Sequence, residues 1–510
     1  MTRLGISGRS RRNITRVCLL LLALIFAPVM ARSQAGSPKV PRSLSITLRP
    51  FTTAEEVPAF EVELSFRGNA TGEQVLALPS SWGGQEKLYQ AIRDIEALSP
   101  NTTIKDSDQP DRKRVEFTPG KPVRFRYTVL QDWDDDFSKH IFRPALSEET
   151  FTLIGTSFLV LPEWNEEIPL RVTMDWEIPT RWTQADSFGI GEGKARVFTA
   201  TLSQLQTAIY VGGDYRLHTF SVRGRPVHVA LRGKWRFTDA QFCALAERII
   251  EAERAFWKDD TFPYFLITLT PTEESGKDYQ GTGLTNSFAA YADQQVELMT
   301  VPGLKHLLAH ELFHTWNPLK LSREGQFMEP QERHFWFGEG FTEYYSHQLL
   351  LRSGMVTRQE YFAQLNDRIR SYYLSPVRST PNRQIEKEFF TSDAIGRLPY
   401  QRGELLAIRW NALIRSATGG RSSLDDVFHD LRRNASRYAR LRPEQAVAAL
   451  VRQYAKRDVS ADIARYIIGG EIIPVSADAF GPKVKLVQKK VSRGKDAAVT
   501  VPQYRTSATR

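Results

Sequence analysis

The chain has 510 residues and only two cysteines, Cys18 and Cys243. Cys18 lies in a leader expected to be removed, so the mature chain can form no internal disulfide. Cys243 falls on an apolar helix face and reads as inert core. Long hydrophobic runs are also scarce. The run from Val17 to Met30 is too short for a comfortable membrane span, and no later stretch is long and apolar enough. A basic body is missing as well, although the net charge is +10. Residues 1–35 hold six arginines and no acid, and residues 481–510 hold eight basic side chains and one acid, Asp496. Residues 36–480 therefore carry three more acids than bases. That excludes a general nucleic-acid-binding surface.

What is there begins with a targeting pattern. Arg3, Arg9, Arg11, Arg12 and Arg16 precede the apolar run, and Ser33-Gln34-Ala35 offers a small-x-small cleavage site. A signal peptide over residues 1–35 is expected, with a periplasmic or secreted product. The alternative is a chain anchored to a membrane by an uncleaved N-terminus. Ser10-Arg11-Arg12 hints at a twin-arginine route.

Residues 36–232 read as an all-β, sandwich-like domain. SLSITL (43–48), AFEVELSF (59–66), VRFRYTV (123–129), FTLIGTSFLVLP (151–162), PLRVTMDW (169–176), ARVFTATL (195–202) and PVHVALRG (226–233) are β-branched or aromatic, with turn residues between them. A weak helical signal covers 85–97. Trp82, Trp133, Trp176 and Trp182 are expected in packing roles. The pattern changes at Thr238-Asp239-Ala240-Gln241, a capping box followed by an apolar stripe. An α+β domain is expected over 233–395, then a helical region over 396–475, then a flexible basic tail over 476–510.

The chain is organised around His310-Glu311-Leu312-Phe313-His314, which has the form HExxH. Two histidines four apart on a helix differ by about 40° around its axis, so both can grip one ion. Zinc suits imidazole ligands, and a catalytic zinc site needs three protein ligands and an open position. Glu311 would lie beside the ion as general base. Asn317-Pro318 supplies a helix stop. His306 is in step but lies on the order of 12 Å along the helix from His314, too far to share the ion. Glu339, in Trp336-Phe337-Gly338-Glu339-Gly340, is the best candidate for the third ligand; Glu324, Glu329 and Glu332 are the alternatives. Glu343, one turn beyond Glu339, could orient a ligating histidine. Tyr400, opening a helix, could donate to an oxyanion.

HELFHTWNP, FWFGEGFTEYY and PYQRGELLA together resemble the glycyl aminopeptidase family of zinc metallopeptidases, whose consensus is approximately HExFHxWN, WFxEGFTxYY and YxKGxLLA in the same order. The resemblance implies a thermolysin-like catalytic domain behind a β-domain. It implies one zinc ion per chain held by His310, His314 and Glu339, with Glu311 as base and proton shuttle and Tyr400 as transition-state stabiliser. The expected partner is a peptide or protein substrate. Two departures stand out. The family element upstream of the zinc helix resembles Gly-Gly-Leu-Glu-His, and its Glu holds the substrate's amino terminus; here Gly283, Leu284 and Thr285 are the corresponding substrate-binding candidates, with Thr285 in place of that Glu. About forty residues follow Glu471, too few for the PDZ domain this family usually carries. The resulting expectation is an exported, aminopeptidase-like zinc peptidase. Cleavage of internal or blocked peptides is the alternative specificity, and a non-catalytic binding protein with a residual zinc site is the alternative class.

Overall fold

The computed structural model describes residues 42–191, 195–261, 264–272, 279–299, 303–321, 334–438, 441, 443–493 and 496–506. The expected signal peptide lies outside these residues, as do Glu324, Glu329 and Glu332. No helix among the described residues is long and apolar enough to cross a membrane.

The first half is β-rich. Alternating polarity in Ser43–Thr52 and Pro58–Arg67 buries Ile46, Leu48, Phe60, Val62 and Leu64 on one face of a six-stranded sheet. Five-stranded and four-stranded sheets complete this region, and Phe151, Phe158, Trp176 and Tyr210 fill the core between them. Trp82 and Trp176 are each 2% exposed, in keeping with packing roles. The helical signal at 85–97 gives way to a 3₁₀ turn, Leu88–Ala91, and a strand, Ile92–Ala97, that pairs with Pro122–Leu130. Sheet pairing overrides local propensity there. The run 151–162 is broken at Gly155, where an added Cβ would meet the Leu205 carbonyl oxygen at 2.0 Å.

The second half is built on a five-stranded sheet: β1 (Arg216–Val222), β2 (Arg225–Leu231), β3 (Phe265–Thr272), β4 (Tyr279–Leu284) and β5 (Ser287–Asp293). The order is β1-β2-β3-β5-β4, so β4 is an edge strand. Composition alone groups 226–233 with the N-terminal strands. Its backbone instead pairs in parallel with β3, across the crossover helix α1 (Asp239–Trp257). One face of this sheet packs on the N-terminal region through Ala230, Leu266, Leu284, Ala289 and Tyr291. The helices cover the other: α2 (Leu304–Phe313), α3 (Phe335–Arg352), α4 (Arg358–Leu374) and α5 (Leu398–Ala417). Both α1 and α4 begin with capping boxes, Thr238 with Gln241 and Thr357 with Glu360.

Residues 476–510, expected to be flexible, contain a β-hairpin, Val484–Arg493 with Asp496–Thr506. It docks on α4. The Tyr504 N–H donates to Asn366 Oδ1 at 2.8 Å, Asn366 Nδ2 donates back to the Tyr504 carbonyl at 2.9 Å, and the Phe362, Phe480 and Tyr504 rings pack together. Abundant lysines obscure the alternation that buries Val484, Val501 and Tyr504.

The chain leaving α2 is anchored by Asp259, which accepts from Trp316 Nε1 at 2.8 Å, from Thr261 Oγ1 at 2.6 Å and from Lys320, and lies 3.2 Å from Arg432. Burial pushes the Asp259 carboxyl up, but the bonds from Lys320, Thr261 and Trp316 hold it below its ordinary value. A lowered folded pKa gives stability that is full above the unfolded value and is lost as pH falls through the folded one. Asp259→Asn should therefore lower unfolding stability by about 2–3 kcal/mol at pH 7. Denaturant midpoints at pH 7 and pH 3 should show that difference shrinking at the lower pH.

Candidate active site

α2 carries His310 and Glu311 in its last turn, and His314 caps it. Every residue from Leu304 to Phe313 is buried, because α2 is wedged between the sheet, α1 and α3. His310 Nε2 and His314 Nε2 are 3.0 Å apart, and each is 3.2 Å from Glu339 Oε2 on α3. These three are 4%, 1% and 5% exposed.

The other nitrogen of each ring settles the tautomers. His314 Nδ1 lies 2.8 Å from the Asn317 carbonyl, which can only accept, so Nδ1 carries the proton. His310 Nδ1 lies 3.1 Å from Glu343 Oε2, one turn beyond Glu339, and likewise donates. In the neutral form of each ring, with Nδ1 donating, Nε2 turns its lone pair toward Glu339 Oε2. Three acceptors converge at about 3 Å, an arrangement that calls for a cation between them. Two imidazoles and a carboxylate fit zinc, and with Glu343 they place two carboxylates around a divalent ion. The field they create is strong. Burial lowers the His310 pKa, but hydrogen bonds to Glu339 and Glu343 outweigh it and raise it to about 10. Burial raises that of Glu339, but His314 and His310 bring it down to about 2.

Asn317 staples the end of α2 to α3. Its Nδ2 donates to Thr342 Oγ1 at 3.1 Å, and Thr342 Oγ1 donates back to the Asn317 carbonyl at 3.2 Å. The same carbonyl orients His314. Sequence reading took Asn317 only as a helix stop. The approach of α5 to α3 depends on two glycines. A Cβ on Gly340 would sit 2.3 Å from the Gly403 Cα, and one on Gly403 would sit 1.9 Å from the Trp336 carbonyl oxygen. This contact brings Tyr400 to the site, its ring centroid 5.8 Å from that of His310.

Glu311 is fully buried on the side of α2 that faces β4. Gly281 admits it: a Cβ there would lie 3.5 Å from Glu311 Cγ and 2.8 Å from the Ala289 carbonyl oxygen. Burial pushes the Glu311 carboxyl well above the usual carboxylate range; His310 lowers it, Glu339 raises it, and the Gly283 N–H lowers it. The three substrate-binding candidates separate. Gly283 faces Glu311. Leu284 packs toward the N-terminal region, and Thr285 is 3% exposed, with its Oγ1 2.7 Å from Thr207 Oγ1 and its N–H donating to the Thr207 carbonyl at 2.7 Å.

Residues 304–393, from the start of α2 through the whole of α3, match the M61 glycyl aminopeptidase family. Over those residues the chain resembles a glycyl aminopeptidase. The match ends before Tyr400. No curated protein matches significantly. The fold is similar to that of an aminopeptidase N family protein from Idiomarina loihiensis, at 18% identity and a TM-score of 0.74, covering 89% of this chain and 80% of that one. It is also similar to an M1 zinc metallopeptidase from Deinococcus radiodurans, at 15% identity and a TM-score of 0.53, covering 85% and 95%. Thr285, outside the matched residues, spends its hydroxyl on Thr207.

Proposed function

We propose that this protein hydrolyses peptide bonds with one zinc ion held by His310, His314 and Glu339. The observation that carries this reading is the convergence of two Nε2 lone pairs on Glu339, with each Nδ1 committed elsewhere. When bound, zinc supplies Lewis acidity, acidifying a water and polarising the carbonyl under attack. Glu311 takes the proton of the attacking water and passes it to the leaving amine. The Tyr400 phenol donates to the developing oxyanion. The edge strand β4 runs beside Glu311, where an extended substrate would lie. Zinc content per chain, with peptidase activity measured before and after chelation, tests this. A chain that holds one zinc and cleaves no peptide or protein would instead favour a binding protein.

Within this reading, aminopeptidase-like cleavage is the family expectation. A second reading, cleavage that needs no free amine, is supported by the position of Thr285, which offers no charge to an ammonium group. A charged hydrogen bond to the amine contributes about 1.5–3 kcal/mol. Without it, acetylating a peptide's amino terminus should cost less than about tenfold in kcat/KM, since a tenfold change needs about 1.4 kcal/mol. A loss above about 100-fold would mean that another acid meets the amine. Export follows from the arginines and apolar run before Ala35. The peptidase unit is proposed to begin near Arg216, where β1 joins the second sheet.

A further inference from the structure

One turn before His310, His306 faces the same carboxylate. His306 Nε2 lies 3.2 Å from Glu343 Oε2 and 3.2 Å from Ser346 Oγ. The Ser346 hydroxyl donates its own proton to the Glu343 carbonyl at 2.9 Å, so toward His306 it accepts. His306 Nε2 therefore carries a proton and donates to two acceptors. His347 Nδ1 donates to the Glu343 carbonyl at 3.0 Å, and its ring centroid is 4.1 Å from that of His306. On the far side, Arg368 Nε is 3.9 Å from Glu343 Oε1. Arg368 is itself fixed by a fork to Glu404, at 2.8 and 2.6 Å. Glu343 is thus held from both oxygens, and burial that would raise its pKa is outweighed by His306 and His347.

His306, His310 and Glu343 have the spacing of a second metal site. Two features argue against a cation there. The nitrogens facing Glu343 Oε2 both carry protons, and the Arg368 guanidinium sits beside the same carboxylate. The arrangement is a clamp. We infer that His306 and Arg368 are positioning residues for the metal centre, fixing Glu343 so that Glu343 presents His310 Nε2 to the ion. This rests on the zinc reading above.

The test is zinc affinity of the full chain, measured by competition with a chromophoric chelator. Groups that orient a metal ligand typically contribute 10- to 100-fold in affinity. His306→Phe, which keeps bulk and removes the donor, should weaken zinc binding by about 10- to 100-fold. His306→Gln, whose amide can donate from a similar place, should stay within about threefold of the wild type. Saturating zinc should restore kcat in the Phe variant with KM unchanged. Wild-type affinity in His306→Phe overturns the inference, as does equal weakening in Phe and Gln, which would mark packing alone. If His306→Phe does not fold, Arg368→Met combined with Glu404→Leu carries the test, because it leaves no lone buried charge. Weakened binding is expected there, and unchanged binding overturns the inference. A wild type that binds no zinc would sink the zinc reading itself.

Discussion

Glu311→Gln should lower kcat by about 10⁴-fold while the protein keeps its zinc, the upper end of what one general base contributes. The substitution is nearly isosteric, so the fit against Gly281 is preserved. Neither carboxylate oxygen of Glu311 is shared with the convergent trio of His310, His314 and Glu339. What is lost, on the proposed mechanism, is the carboxylate that takes a proton from water and delivers it to the leaving amine. The amide can donate and accept hydrogen bonds but cannot shuttle a proton. Zinc content measured beside steady-state kinetics checks both halves. A variant with zinc bound and kcat within tenfold of the wild type would remove Glu311 from the reaction.

How far this centre was legible in the sequence depends on how local each part is. HExxH is a property of one helix turn, and its meaning survives without knowledge of any other segment. The capping boxes at Thr238 and Thr357 are equally local. Glu339 could be placed because it rides in an apolar, helix-forming run. The rest depends on pairs far apart in the chain. Gly340 and Gly403 look unremarkable singly, and only their crossing shows that two helices meet backbone to backbone. Arg368 and Glu404 lie on different helices, and neither carries a motif. Thr285 could be noted as a departure, but its partner Thr207 belongs to the N-terminal half. His306 was half legible: its spacing excluded it from the zinc site, while its bond to Glu343 needed α3 in place. Beyond the site, 226–233 was read with the N-terminal strands and pairs with β3 in the second sheet, because composition identifies a strand but not the sheet it joins.

Glu339→Gln should weaken zinc binding by about 10³-fold, a larger effect than any change behind the ligands. The shape of the side chain is kept and its charge is removed. In the zinc reading His310 and His314 are neutral ligands through Nε2, so Glu339 and Glu343 supply the negative charge that balances a divalent ion in this buried site. Removing one partner of a buried charge pair costs about 3–5 kcal/mol, and every 1.4 kcal/mol is about tenfold in affinity. Activity should fall with occupancy and return partly at high zinc, because the two imidazoles and Glu311 remain. Competition with a chelator gives the affinity directly. If Glu339→Gln binds zinc as tightly as the wild type, the third ligand lies elsewhere. Glu324, Glu329 and Glu332, which follow His314 in the chain, would then become the residues to replace.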